Sequence, residues 1–372
     1  MVLKKIIISV TNDLSTDQRV DKVSNTLLNF GFSVLLIGRI RDRKKSINFQ
    51  TRRYDCYRFQ MYFKKGFFFY MEYNLRLFFF LLKTKSDLLL SNDLDTLPAN
   101  FLISKIFNRK LVYDSHEVFT EVPELIDRPL VKSIWLLIEK TCLPNIKYTY
   151  TVSDSMADYY NKKYGINMSV IKNVPLSRTG SKQKKKHDFF DDSKVKKILY
   201  QGAVNKDRGI KLMISSMLYV SAKLYIVGTG DILDYLINYT KDLNLEKKVI
   251  FVGKVDFKDL FFITEQADLG LSLEKDTCIS YRYSLPNKIF DYINAEIPVL
   301  VSDLPEFRKV VQKYKIGSVL SSREPQEVAD QINFLLSVSK NTWKKRFVVA
   351  KKDFCWTHEQ NKLSTIFSSF LT

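Results

Sequence analysis

Two stretches in the later half of the chain carry side chains suited to holding an anion. The first is Arg282 to Asp303, R-Y-S-L-P-N-K-I-F-D-Y-I-N-A-E-I-P-V-L-V-S-D. Pro286 suits the first turn of a helix, with Ser284 or Leu285 next to the cap. Helical spacing then puts Ser284, Asn287, Lys288 and Asp291 on or near one face and Ile289, Phe290 and Ile293 on the core side. A lysine and hydrogen-bonding side chains at the positive end of a helix dipole make an anion site. An amphipathic helix with an ordinary polar face has the same pattern. The second stretch is Y-Q-G-A-V-N-K-D-R-G, residues 200–209. A strand, a turn at Gly202 and then Arg208 before a helix suggest a phosphate contact. Gly228 lies in a similar turn, V-G-T-G-D (227–231), which tight-turn geometry explains equally well.

In the earlier half, V-Y-D-S-H-E (112–117) follows a strand, where open α/β sheets place ligands. His116, one of three histidines, is flanked by Asp114 and Glu117. It can bond a sugar hydroxyl, move a proton, or serve as a buried structural residue. Asp93 and Asp95 form a D-x-D triplet that suits a divalent cation or, the reading preferred here, the cap of the helix beginning near Thr96. The segment T-N-D-L-S-T-D-Q-R (11–19) carries Asp13, Asp17 and Arg19, which can cap the next helix or line a cleft. Lacking glycine, it is neither a dinucleotide-binding loop nor a P-loop, which argues against a nicotinamide dehydrogenase and a P-loop nucleotidase.

The elements that must position these residues are short apolar strands alternating with helical patterns. Strands are expected at 6–10, 33–37, 87–90, 111–114, 148–152 and 169–171, then at 197–201, 224–227, 249–252, 269–273 and 298–302. Such runs imply parallel sheets covered on both faces, in two α/β halves. The polar, charged stretch 176–196, with its K-Q-K-K-K run, reads as a linker. Residues 63–83 are rich in phenylalanine, but Lys64, Lys65, Glu72, Asn74 and Arg76 interrupt them, and a spanning helix needs ~20 mostly apolar residues. They read as a helix docked on the first sheet, with Glu72 and Arg76 paired four apart; a helix lying on a membrane surface is the sharper alternative.

A chain of 372 residues, 45% hydrophobic and 27% charged, has material for about two globular domains. Four scattered cysteines suggest neither a disulfide framework nor a zinc site, and hence a reducing cytosol. The opening M-V-L-K-K-I-I-I-S-V is too short an apolar run for a signal peptide and reads as a first strand. The net charge of +19 calls for an acidic partner: nucleotide phosphates, nucleic acid or an anionic membrane face. No helix-turn-helix, zinc-finger or RNA-recognition signature is present, so nucleic acid is not expected as a partner.

Taken in order, V-Y-D-S-H-E, Y-Q-G-A-V-N-K-D-R-G, I-V-G-T-G-D, S-L-P-N-K-I-F-D-Y-I and the late F-C-W-T-H-E-Q resemble the family-4 (group 1) glycosyltransferases of the GT-B fold, of the bacterial surface-polysaccharide type. The resemblance implies an α/β architecture of two Rossmann-like domains whose parallel sheets face across a cleft. An acceptor-side domain would occupy 1–175, the linker 176–196, and a nucleotide-sugar domain 197–350. A helix bearing Trp356 within 351–372 would cross back to the first domain. By position, Arg208 and Lys288 match the basic pair on the donor diphosphate, Asp291 the ribose contact, and His116 the histidine near the donor sugar. Gly202, Gly228, Ser284 and Asn287 fall on the donor side, with Lys254 and Val255 beside the base. Asp13, Asp17 and Arg19 fall on the acceptor side. The family's first carboxylate is replaced by Tyr283, with Glu274 the nearest substitute, and its N-terminal glycine pair is missing.

The expectation is a retaining transferase that takes a nucleoside diphosphate-sugar and needs neither a metal nor another cofactor. Its acceptor is expected to be a glycan, lipid-linked where the chain works at the anionic inner face of the cytoplasmic membrane. The alternative in the same architecture is a non-hydrolysing nucleotide-sugar epimerase.

Overall fold

The computed structural model describes residues 4–15, 17–41, 52–176, 189–190 and 195–371. The chain divides into two compact units, Met1–Asn173 with Glu359–Thr372, and Val174–His358. The expected linker 176–196, with its lysine run, lies largely outside the described residues.

The first unit is built on a seven-stranded sheet of β1 (Lys5–Ser9), β2 (Ser33–Ile40), β3 (Asp55–Gln60), β4 (Leu88–Asn92), β5 (Lys110–Ser115), β6 (Tyr148–Thr151) and β7 (Ser169–Val170). The order is β3-β2-β1-β4-β5-β6-β7 and every pairing is parallel. In β1, Ile7 pairs with Leu35 on one side and Leu89 on the other. Both faces of this centre are covered, which is why its strands read as unbroken apolar runs. The second unit repeats the plan with β8 (Lys197–Gln201), β9 (Lys223–Val227), β10 (Val249–Gly253), β11 (Leu269–Ser272), β12 (Val299–Val301) and β13 (Gly317–Val319). Its order is β10-β9-β8-β11-β12-β13, again all parallel.

Each sheet reverses direction once, between β1 and β4 and between β8 and β11. At such a reversal the connections leave to opposite faces and open a crevice at the carboxyl ends of the strands, the usual place for a ligand.

The expectations missed the edge strands β3 and β13. Phe59 is the one buried residue of β3, and β13 spans three residues, so neither gives a continuous apolar run. The phenylalanine-rich segment is a helix, Phe67–Lys83, docked through Phe69, Tyr73, Leu77 and Leu81. Glu72 accepts from Arg76 Nε at 2.8 Å, as the spacing predicts, and also from the backbone N–H groups of Tyr62 and Phe63. Among the described residues no helix is long and apolar enough to cross a membrane.

After the helix Lys340–Asp353 the chain reaches Trp356, 1% exposed, whose N–H donates to Pro175 O at 3.2 Å. Residues from Glu359 onward pack with the first unit. Glu359 accepts from Lys172 N–H, Gln360 donates to Thr26, and Phe367 and Phe370 meet Phe32 and Tyr148 edge-on. The units therefore part at residues 173/174 and 358/359, rather than at the 175 and 350 read from the sequence.

Candidate functional site

At the reversal of the second sheet, β8 ends in Gln201 and leads into the loop that carries Gly202 and Arg208. A Cβ on Gly228 would fall on the carbonyl oxygen of Gly202, so the two glycines let the turns after β8 and β9 touch. Gly209, at φ +76°, allows the same close approach to the carbonyl of Leu273. The Asp207 carbonyl accepts from Lys275 N–H at 2.8 Å, tying this loop to the one after β11. Arg208 is thereby held against Glu274.

Lys288 comes from the helix Asn287–Ala295, whose N-cap is Pro286. Proline therefore sits one position earlier than expected, and the Ser284 hydroxyl donates to Tyr281 O instead of capping. Lys288 is not on an open polar face. It is 7% exposed, and its Nζ donates to Glu274 Oε1 at 2.6 Å. Arg208 Nη1 approaches the same oxygen at 3.8 Å, and Ser272 Oγ donates to Oε2 at 2.7 Å. Each cation also lies over a ring, Lys288 over Tyr200 and Arg208 over Tyr281.

Burial alone would raise the pKa of Glu274, which is 0% exposed. Lys288 and Arg208 outweigh it and hold the carboxyl below its ordinary range. Burial pulls the Lys288 ammonium downward, with Arg208 adding to the pull and Glu274 opposing it. Two cations thus share one buried carboxylate. Next to it lies a recess of about 440 Å³ whose lining includes Lys206, Arg208, Lys211, Lys275 and Arg323. Arg323 donates to Leu273 O at 3.0 Å and to Ser302 Oγ at 3.2 Å, which fixes the segment carrying Glu274.

The remaining donor-side candidates are less concentrated. Asp291 Oδ2 accepts from Gln201 Nε2 at 2.7 Å, and Gln201 Oε1 accepts from Thr264 at 2.8 Å, so this carboxylate helps bind two helices to β8. Asn287 is exposed at the helix start, while Lys254, exposed, and Val255 follow β10.

The first unit gathers a second cluster where β4 and β5 end. The His116 ring faces a carboxylate at each nitrogen: Nδ1 lies 3.1 Å from Asp93 and Nε2 lies 3.1 Å from Asp114. Its backbone N–H donates to Asp93 Oδ1 at 2.7 Å. Burial disfavours the imidazolium, but Asp93 and Asp114 overcome it, and the pKa lies well above the ordinary value. His116 is therefore a charged, doubly bonded residue rather than a ready base. Asp93 and Asp95 also depart from the preferred cap reading. The helix Leu97–Ile106 has no side-chain cap; Asp93 serves His116, and Asp95 accepts from Thr11 Oγ1 at 2.5 Å.

Of the acceptor-side candidates, Arg19 is the clearest correction. It is 3% exposed and grips Asp114 with Nε at 3.0 Å and Nη2 at 2.8 Å, while Nη1 reaches Ile171 O. A guanidinium so enclosed presents no face to an acceptor. Burial raises Asp114, yet Arg19 and His116 bring it down to about 2. Asp17 accepts from Val20 N–H as the N-cap of the helix Gln18–Asn29, and Asp13 accepts from Ser15 in a local turn. Sequence reasoning left Glu274 as a substitute only and did not single out Ser272 or Arg323. The available signal was position, since Glu274 lies two residues past a strand bordering the sheet reversal.

Residues 181–347, nearly all of the second unit, match the family described as glycosyl transferases group 1. The second unit is thus similar to the group 1 glycosyl transferases along most of its length. The chain is 25% identical over 292 residues to the chitobiosyldiphosphodolichol beta-mannosyltransferase of Debaryomyces hansenii, covering 68% of this chain and 61% of that one. Against the curated relatives it matches, the chain spans between 46% and 61% of their length.

Sucrose-phosphate synthase from Thermosynechococcus elongatus superposes with a TM-score of 0.82 at 14% identity, over 98% of each chain. HepE of Anabaena in complex with UDP gives 0.75 at 15% identity, over 99% of this chain and all of that one. Such likenesses establish the fold: the two units are the two Rossmann-like α/β units of the GT-B architecture.

Proposed function

We propose that this protein transfers a sugar, with retention of configuration, from a nucleoside diphosphate donor to an acceptor hydroxyl. The pathway proposed is the assembly of surface polysaccharide or lipopolysaccharide. The observation that carries the reading is the convergence of Arg208 and Lys288 on Glu274 at the reversal of the second sheet. Negative charge builds on the diphosphate as the glycosidic bond breaks. Fixed cations in a partly dry site meet that charge without reorganising, which is the largest single contribution in many enzymes. Glu274 plays a part in this. It holds two like charges close together while the anion is absent, and phosphate then meets them.

On this reading Lys288 and Arg208 bind the diphosphate and no metal is required. Asp291, Lys254 and Val255 fall to the nucleoside, and Gly202, Gly228, Ser284 and Asn287 to the surrounding wall. The match to HepE with UDP supports a nucleotide donor. The mannosyltransferase relative, named for a sugar carried on a lipid diphosphate, supports a lipid-linked acceptor glycan. The proposed place of work is the anionic inner face of the cytoplasmic membrane, to which each nearby Lys or Arg would add ~1 kcal/mol of attraction.

A thermal-shift panel of UDP-, GDP-, ADP- and CMP-sugars tests the donor. Ligand at a hundredfold excess over Kd stabilises by ~2.7 kcal/mol, and a flat response to all four sinks the proposal. Lys288→Ala is a poor probe by itself, because it strands a buried carboxylate and costs stability as well as turnover. Arg208, with a quarter of its side chain exposed, is the cleaner position.

A further inference from the structure

The helix Phe67–Lys83 is apolar on both faces. Opposite the docked face, Phe68, Met71, Leu75, Phe79 and Leu82 are exposed at helical spacing. Beside it lies a concave groove of about 840 Å³. Pro98, Ala99 and Leu102 of the helix Leu97–Ile106 form one side, and Ile134, Trp135 and Ile138 of the helix Pro129–Cys142 face Leu75, Phe78 and Phe79. Asn74, a polar residue in this wall, spends its amide on Tyr70 O, Asp95 O and Ala99 N–H. The wall around it is therefore mostly carbon.

One end of the groove differs. There the Trp135 ring meets Tyr70 and Phe119 edge-on at 5.3 and 5.0 Å, and Glu117, Glu124 and Arg128 complete the lining. Glu117 follows His116 directly and so lies beside the cluster at the carboxyl end of β5. Its carboxylate makes no hydrogen bond or ion pair with other described residues.

We propose that this groove seats the hydrocarbon chain of the acceptor lipid, with the acceptor's polar head at the Glu117 end. The inference rests on the transferase reading and deepens it by giving the acceptor's lipid a seat in the first unit. The volume falls within the 300–1,000 Å³ usual for small-molecule sites, and an apolar trough with polar groups at one end matches an amphiphile. The polar end is mixed in charge: Arg128, exposed there, can donate to a phosphate, while Glu117 and Glu124 can accept from hydroxyls of the head. A flat contact with a bilayer would use the exposed stripe alone. The recess between the helices gives one chain walls on several sides.

Farnesyl phosphate, kept below self-association, is the probe, and Trp135 is the reporter. Saturable quenching of tryptophan fluorescence at one-to-one stoichiometry is expected, with isopentenyl phosphate and inorganic phosphate failing to compete. Leu102→Trp and Ile134→Asp each alter an exposed position in the groove, and each should weaken the probe at least tenfold while preserving the melting transition. Equal binding of inorganic phosphate would overturn the proposal. So would attachment to phosphatidylglycerol vesicles without binding of the monomeric probe, or a dimer in sedimentation that Ile134→Asp dissolves. The nucleotide-sugar panel, run alongside, separates the two readings. A nucleotide response with no farnesyl phosphate binding overturns the groove alone. Farnesyl phosphate binding with no nucleotide response supports the groove and overturns the transferase.

Discussion

The two units solve the same electrostatic problem in opposite ways. Each gathers two cationic groups on a fully buried carboxylate at the carboxyl end of a parallel sheet, Arg19 and His116 on Asp114, Lys288 and Arg208 on Glu274. Around Asp114 the bonds are saturated: Arg19 is bidentate at 2.8 and 3.0 Å, and both imidazole nitrogens face carboxylates. Around Glu274, Lys288 and Ser272 bond at 2.6 and 2.7 Å, and Arg208 lies 3.8 Å away with a quarter of its side chain in reach of solvent. Arg19, enclosed and in full contact with its partners, contributes to the fold. Arg208, a quarter exposed, can be reached by an incoming anion, as the enclosed Arg19 cannot. On the proposed reading, a carboxylate shared by two cations serves structure in one half and binding in the other.

That contrast breaks most visibly at Asp114. Asp114→Asn leaves the buried Arg19 without a counter-charge, and about 3–5 kcal/mol of unfolding free energy should disappear, read from the denaturant midpoint. A loss below 1 kcal/mol would show that the first cluster is not structural.

Arg208→Ala should do the reverse. Turnover is expected to fall about a hundredfold, or ~3 kcal/mol of transition-state stabilisation, with the melting curve nearly unmoved. Equal damage to stability and turnover would erase the distinction between the clusters.

Acid sharpens the comparison next. The pKa of Asp114 is depressed in the folded state, so its contribution is complete above the ordinary 3.8 and is lost as pH falls toward about 2, amounting to about 2 kcal/mol. The His116 pKa is raised instead. Its contribution is complete below 6.5 and fades only as pH climbs through the elevated value, so the first unit should weaken at alkaline pH. His116→Ala should remove the alkaline limb of a stability–pH profile, and an unchanged limb would place the titration elsewhere.

The smallest effect serves as the baseline. Arg282→Ala breaks an exposed pair with Asp276, both nearly half exposed, and should shift stability by less than about 1 kcal/mol.

Much of the architecture is legible from local pattern because the central strands are buried on both faces and announce themselves as apolar runs. β3 and β13, at sheet edges, carry no such signature. The residues alone mark Arg208 and Lys288 as two separate anion contacts, and only the family resemblance pairs them. Two features were beyond local reading. Arg19 looks like any polar residue at a helix start, and only Asp114, 95 positions later, makes it a buried strut. Glu274 stands alone after β11, and its place as the hub of two cations depends on contacts 14 residues away in one direction and on the loop after β8 in the other. Patterns of period 2 or 3.6 carry no information about such pairings.

The packing of residues 359–370 against Phe32, Thr26 and Tyr148 has a consequence for how the molecule comes into being. During synthesis the earlier half must wait, its hydrophobic interior unfinished, until the whole of the later half has left the ribosome. The later half, by contrast, can condense as soon as its own residues emerge. A released chain cut just short of Glu359 should therefore hold a settled second unit and a first unit still open to proteases and chaperones.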